Sequence, residues 1–316
     1  MRRRRILLSL TVLVASLAAP AARGDSGPPL ETAPELLADA VMCPATFTGR
    51  SEPVLLVHGT AVTADENWSS YVTALTKRGL DVCTVDLPDR AFGDMQISAE
   101  YVVYAVRAIA DASGKRVDLV GLSQGGLEPR WAVKWWPDVQ ARVDDLVDIV
   151  TPNHGIDTEG VCMRGCVPSI WQMDENSAFL AALNAGDETP GTIDYTSIYS
   201  WTDLIVTPQF PDSTSRLDGA TNIAVQEVCP RPVDHVQSAY DSVVYHLVLD
   251  AITRVGPANK LRVPLDVCAQ PIMENADTVR IALLQALVYP YAFPAVMGIT
   301  HPAVDAEPPL KEYARS

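Results

Sequence analysis

Gly121-Leu122-Ser123-Gln124-Gly125, followed by Gly126, is the stretch of this chain whose residue types and spacing can do covalent chemistry. An expected buried strand, Val117 to Val120, leads in and a helical segment leads out, which is the strand–turn–helix setting of a nucleophile elbow. The glycines are required because neighbouring Cβ atoms would clash in so tight a turn. The turn presents the Ser123 hydroxyl at the sheet edge, near the positive end of the following helix. Attack on a carbonyl then needs a base to take the hydroxyl proton and an acid to orient that base. A plain glycine-rich turn with a solvated serine is the alternative, and it leaves the flanking elements unexplained.

In folds with this elbow the acid and then the base follow the serine along the chain. His154, His235, His246 and His301 all do. His154 comes directly after the next strand, which leaves little chain for an acid to precede it. His246 sits in a helical apolar pattern with Val243, Val244, Leu247 and Val248, and His301 in a Pro-flanked tail. His235 is expected to open a helix after a loop holding Cys229, Pro230 and Pro232, an exposed and well-held place for a base. Asp203 follows an expected strand, 196–201, where a loop can aim it at the histidine. Asp194, Asp212 and Asp218 remain rivals; Asp234 adjoins His235 too closely for good geometry. Oxyanion donors are expected from the Gln124 N–H and from the loop His58-Gly59-Thr60, with the Thr60 hydroxyl as a further donor. His58 precedes the serine and is expected to support that loop.

The elements that must hold these residues alternate. Val54 to Val57 is an apolar run ended by His58-Gly59, so a buried strand and a turn. Trp68, Tyr71, Val72, Leu75 and Thr76 recur at helical spacing before Gly79. Asp81 to Leu87 is a β-branched strand stopped by Pro88. Ser98 is expected to begin a helix through Val102, Val103, Val106, Ile109 and Ala110, ending at Gly114. Further strands are expected at 117–120, 146–150, 196–201 and 222–228. Such alternation implies an α/β fold, a mostly parallel sheet covered by helices on both faces. Residues 36–316 read as one catalytic domain, behind a mobile lead-in over 23–35.

Composition limits the partners. In 316 residues there are 39 acidic and 24 basic side chains, a net charge of -15. A surface this acidic repels phosphate backbones and anionic lipids, so nucleic acid is excluded as a partner. Residues 1–22 read as a secretory signal: Arg2–Arg5, an apolar stretch from Ile6 to Ala19, and a small-residue cleavage site at Ala19-Pro20-Ala21. The protein is therefore expected outside the cell, where its six cysteines oxidise. Cys162 and Cys166 can staple one short loop. Cys43, Cys83, Cys229 and Cys268 must pair over longer distances, and spacing alone does not select how. Ile281 to Ile299 is uncharged and long enough to span a bilayer. Pro290 and Pro294 are expected to break it, leaving buried helices on the core or against an apolar pocket.

The motifs resemble the Candida antarctica lipase B family of secreted α/β-hydrolase lipases over most of the chain. Leu55-Leu56-Val57-His58-Gly59-Thr60 looks like its oxyanion strand and loop, and Ser123-Gln124-Gly125-Gly126-Leu127 like its elbow. Ser169-Ile170-Trp171-Gln172 lies after its lid region. Thr202-Asp203-Leu204-Ile205-Val206-Thr207-Pro208-Gln209 resembles the segment with the catalytic acid, and Val233-Asp234-His235 the one with the histidine. The resemblance implies Ser123, Asp203 and His235 as the triad, Thr60 and Gln124 as oxyanion donors, and disulfides Cys43–Cys83 and Cys229–Cys268. It departs at Gly121 (threonine in the archetype), at His58 (proline) and at Leu122, where tryptophan floors the alcohol pocket. The Cys162/Cys166 pair has no counterpart.

The expected protein is thus a secreted, monomeric serine carboxylic-ester hydrolase without metal or organic cofactor, acting on lipids or small esters. Leu122 and Ile205 are its expected pocket residues, and the Cys162–Cys166 staple implies a short lid that moves little. An amidase on the same triad and a non-catalytic binding protein are the rivals from other classes.

Overall fold

A computed structural model describes residues 26–315; the secretory segment expected over residues 1–22 lies outside them. The strands are β1 (Val41–Met42), β2 (Val54–Val57), β3 (Val82–Val85), β4 (Val117–Leu122), β5 (Val143–Ile149), β6 (Asp194–Tyr199) and β7 (Thr221–Ala224). The helices are α1 (Pro34–Asp39), α2 (Ala64–Lys77), α3 (Met95–Ser113), α4 (Leu127–Trp135), α5 (Pro137–Gln140), α6 (Pro168–Gln172), α7 (Ala178–Asn184), α8 (Ser242–Thr253) and α9 (Thr278–Val296). They build one sheet in the order β1-β3-β2-β4-β5-β6-β7, parallel throughout except for β1 on β3.

All four residues of β2 and all six of β4 are buried, because helices cover both faces. Strand alternation sorts them: Leu55, Val57 and Leu119 pack with Trp131, Phe179 and α3, while Val54, Leu56 and Val120 pack with Trp68, Tyr71 and Tyr245. This is the α/β architecture that the alternating pattern predicts, with Gly121 to Gly125 at the C-terminal end of a central strand.

Several boundaries differ from expectation. α3 starts at Met95 rather than Ser98, since Asp94 caps it by accepting the Gln96 N–H. The strand expected over 222–228 ends at Ala224 in a short 3₁₀ turn. The lead-in is not loose from Ser26 on. Arg107 donates to the Ser26 carbonyl, Trp136 Nε1 to the Pro28 carbonyl, and the Glu31 and Thr32 amides to Glu100 Oε2. The largest departure is α9, which runs through both prolines instead of breaking into buried helices. Each proline removes one backbone donor, and at a spacing of four both fall on one side of the helix. Ile281 and Ala295 are buried, whereas Val279, Leu283 and Tyr291 are exposed. Among the described residues α9 is the one helix long and apolar enough to cross a membrane.

Disulfides join Cys43–Cys83, Cys162–Cys166 and Cys229–Cys268. The third closes a loop of 39 residues that contains both His235 and α8. In the chain-entropy account such a loop contributes about 4 kcal/mol. The double variant Cys229→Ala, Cys268→Ala is therefore expected to unfold roughly 10 °C lower. Thermal unfolding by circular dichroism checks this, and an unchanged Tm counts against the account.

Candidate active site

β4 ends at Leu122, and the chain turns through Ser123–Gly126 directly into α4. Ser123 has φ 56°, a left-handed conformation that a side chain adopts only under local constraint. Backbone crowding supplies the constraint. A Cβ on Gly121 would lie 2.1 Å from the Gly125 carbonyl oxygen, and one on Gly125 would lie 2.4 Å from the carbonyl oxygens of Val57 and His58.

The elbow points Ser123 Oγ at His235 Nε2, 2.9 Å away, and His235 Nδ1 lies 2.7 Å from Asp203 Oδ2. A carboxylate only accepts, so Nδ1 carries the ring hydrogen and Nε2 is left to accept the serine hydroxyl. Asp203 is itself held: its Oδ1 accepts the N–H groups of Ile205 at 2.8 Å and Val206 at 3.0 Å. Thr202 ties the two loops, donating to the Val233 carbonyl and accepting the Val233 N–H. His235 does not open a helix as expected. It sits in a turn whose next residues form a 3₁₀ turn (Gln237–Ala239), and Asp234 Oδ1 accepts the Gln237 N–H.

The rivals lie elsewhere. His154 meets Glu188 on the surface, His246 bonds the Ser242 carbonyl within α8, and His301 stacks near Phe92. Asp194 opens β6 at the opposite end from Tyr199.

His58 and Asn67 fix the loop after β2. The Gly59 N–H donates to Asn67 Oδ1 at 3.1 Å. His58 Nδ1 donates to the Gly59 carbonyl at 2.8 Å, and its Nε2 accepts the Leu87 N–H at 2.9 Å. Burial holds this imidazole below its ordinary pKa, and the ring stays neutral. The Thr60 hydroxyl differs from expectation: it donates to Gln124 Oε1 at 2.6 Å, so its single proton is engaged. Gln124 Nε2 in turn donates to Glu128 Oε1 at 2.8 Å.

Thr60, Ser123 and His235 face a cavity of about 50 Å³ walled by Val62, Leu122, Val236, Ala239 and Leu284. Leu122 is in the expected place. Ile205 is not among the lining residues; it lies exposed on the Asp203 loop, to which it gives its amide. Val62 and Leu284 also line an adjoining cleft of about 450 Å³, together with Ala61, Leu283 and Tyr291. The loop stapled by Cys162–Cys166 contributes no lining residue and instead bridges to Val304. The element over the cavity is therefore α9, through Leu284. Leu284 falls in the 281–299 stretch expected against an apolar pocket, whereas sequence reading missed Asn67, Thr202 and Glu128 as parts of this site. Their roles depend on partners distant in the chain, and no local motif marks them.

The palmitoyl protein thioesterase family matches residues 53–201, from β2 past the elbow to β6. Lipase B of Pseudozyma antarctica is 30% identical over 276 residues, covering 84% of this chain and 80% of that protein. The chain belongs to the lipase B family. The crystal structure of Aspergillus fumigatus lipase B superposes with a TM-score of 0.83 at 28% identity, over 94% of this chain and 77% of that one. As a lipase B family member the chain is a hydrolase of the lipase/esterase kind, and its fold is the α/β-hydrolase fold that the resemblance implied.

Proposed function

We propose that this lipase B family member cleaves carboxylic esters through a covalent acyl-enzyme, with Ser123 as nucleophile, His235 as base and then acid, and Asp203 as the group that orients the imidazole. The hydrogen-bond line from Asp203 through His235 to Ser123 carries the reading. Ser123 Oγ attacks the ester carbonyl carbon while His235 Nε2 takes its proton. The carbonyl oxygen becomes an oxyanion, received by the backbone N–H groups of Thr60 and Gln124. Collapse breaks the bond to the alkoxy oxygen, which leaves with the proton from Nε2. Water, deprotonated by His235, then attacks the acyl-serine and releases the acid; an alcohol in its place completes an acyl transfer. These steps need no metal or organic cofactor.

Lipase B names the relative's activity, and the matched thioesterase family acts on the sulfur analogue of the same acyl bond. The cleft offers an acyl chain an apolar wall of Val62, Leu283, Leu284 and Tyr291, with Asp65, Glu66, Arg90 and Arg280 also lining it. The test is hydrolysis of p-nitrophenyl esters of increasing acyl length, with matched anilides alongside and labelling of Ser123 by a fluorophosphonate. Ester turnover far above anilide turnover, with complete labelling, is expected. No labelling, or equal turnover after Ser123→Ala, overturns the proposal.

Export is part of the same reading. Residues 1–22 act as a removable signal, and the three disulfides suit an oxidising compartment. Mass spectrometry of protein from the medium is expected to find a chain starting at about residue 23.

A further inference from the structure

Behind the elbow lies a carboxyl that the proposed reaction does not use. Glu128, in the first turn of α4, is fully buried, and its Oε2 has no hydrogen-bond partner. Its Oε1 accepts Gln124 Nε2, Gln124 Oε1 accepts the Thr60 hydroxyl, and Thr60 lines the cavity beside Ser123. A three-residue relay thus runs from the protein interior to the place where the oxyanion would form. Both ends of Gln124 are committed, so the state of one end dictates the other.

We propose that Glu128 is a positioning residue for the oxyanion site, its carboxyl proton deciding through the Gln124 amide whether the Thr60 hydroxyl is held by Gln124 or is free to donate to the developing oxyanion. This rests on the proposed roles of Thr60 and Ser123. With Glu128 ionised, the carboxylate can only accept. It holds Gln124 Nε2, and Gln124 Oε1 then takes the Thr60 proton, which is the arrangement observed. With Glu128 protonated, its O–H donates to Gln124 Oε1. The amide turns over, Nε2 donates to Thr60 Oγ1, and the hydroxyl proton is released toward the cavity.

Burial pushes the Glu128 carboxyl up to about 8, with the hydrogen bond from Gln124 only partly opposing. Charged groups on the elements packed around α4 are engaged elsewhere. Glu100 of α3 accepts the Glu31 and Thr32 amides, and Arg107 of α3 pairs with Asp138 of α5. On α4 itself, Arg130 binds Asn153 and Asn184, and Lys134 the Leu183 and Ala185 carbonyls. His58 beyond Gly125 is neutral. Asp148 of β5 accepts from Asn153 through one oxygen, its other oxygen has no partner beside Gly126, and burial pushes it up to about 7, so it titrates below Glu128 and touches neither Gln124 nor Thr60. The sign follows: as pH rises through the Glu128 value the proton is lost, the Thr60 hydroxyl is recaptured, and kcat/KM falls.

The experiment is the pH profile of kcat/KM on p-nitrophenyl butyrate, from about pH 6 to about pH 10, for the wild type, Glu128→Gln and Thr60→Val. The wild type is expected to lose about tenfold on the alkaline side, the share of one oxyanion donor that is partly replaced by the two N–H groups. In Glu128→Gln the neutral amide donates to Gln124 Oε1 at every pH, so the alkaline fall disappears. In Thr60→Val it also disappears, from a lower plateau. An unchanged alkaline fall in either variant overturns the proposal, and Thr60→Val decides alone if Glu128→Gln does not fold. Fluorophosphonate labelling separates the outcomes: absent labelling of the wild type sinks the ester-hydrolase reading, whereas full labelling with an unchanged profile sinks only the relay.

Discussion

Replacing Ser123 by Ala is expected to lower kcat on a p-nitrophenyl ester by on the order of 10⁶-fold, and adding His235→Ala to cost almost nothing more. The reason is the single path of the proton. In the proposed mechanism Ser123 Oγ gives its proton to His235 Nε2, 2.9 Å away, so removing either atom removes the whole step. Asp203→Asn belongs to the same set with a smaller loss, roughly 10⁴-fold. The carboxylate accepts three N–H groups, from Ile205, Val206 and His235. A carboxamide has one accepting atom. If its oxygen keeps the two loop amides, its NH₂ faces Nδ1 and forces the ring hydrogen to Nε2, where it blocks the serine. A full double-variant cycle on purified proteins checks all three. Additive losses for Ser123 and His235 would mean that the two act independently and that the line of hydrogen bonds is not the catalytic unit.

What could be read from the sequence divides along physical lines. The elbow was legible because its requirement is local: two glycines, a buried strand before them and a helix after. The sheet was legible because its central strands are covered on both faces: β2 reads as a continuous apolar run, and β4 and β5 as Val- and Leu-rich segments despite Asp118, Asp144, Asp145 and Asp148. Asp203 and His235 were harder, since each is set by a loop, and residue-level reasoning left several carboxylates open until the wider resemblance was weighed. The structure adds why those loops hold: Thr202 fastens the turn before Asp203 to Val233, two residues from the histidine. Of the two readings of α9, a place against an apolar pocket agrees with Leu284 at the cavity, whereas the break at the prolines and the burial on the core do not. Apolar composition suggested burial, yet the helix keeps much of its apolar surface exposed beside the cavity, where Leu284 joins the wall. Ile205 stands exposed outside the described cavity, and a sequence segment does not say which way its side chain turns. Glu128 was passed over because a carboxylate in the first turn of a helix is ordinary at the surface, and only burial makes it unusual.

Gly125→Ala is expected to reduce kcat/KM by about 100-fold and to lower Tm, although alanine is the smallest possible change. The added methyl would lie 2.4 Å from two backbone oxygens, those of Val57 and His58, and 2.8 Å from the His58 carbonyl carbon. Neither can step aside. Val57 is buried in β2, paired to β3 through Val85 and to β4 through Gly121. His58 is anchored by the Leu87 N–H and by its own bond to the Gly59 carbonyl. Relief of about 1 Å must therefore come from the elbow or from the loop bearing Thr60, and either movement separates Ser123 Oγ from its oxyanion donors. Displacement on that scale is enough to cost about two orders of magnitude in rate, while the strained core loses roughly 1–3 kcal/mol. Gly160→Ala is the control, because an added Cβ there meets no atom within 4 Å. It is expected to leave both Tm and kcat/KM unchanged. Wild-type behaviour of Gly125→Ala would show that the backbone at the elbow yields more easily than its packing implies, and that the second glycine of the motif is not there for space.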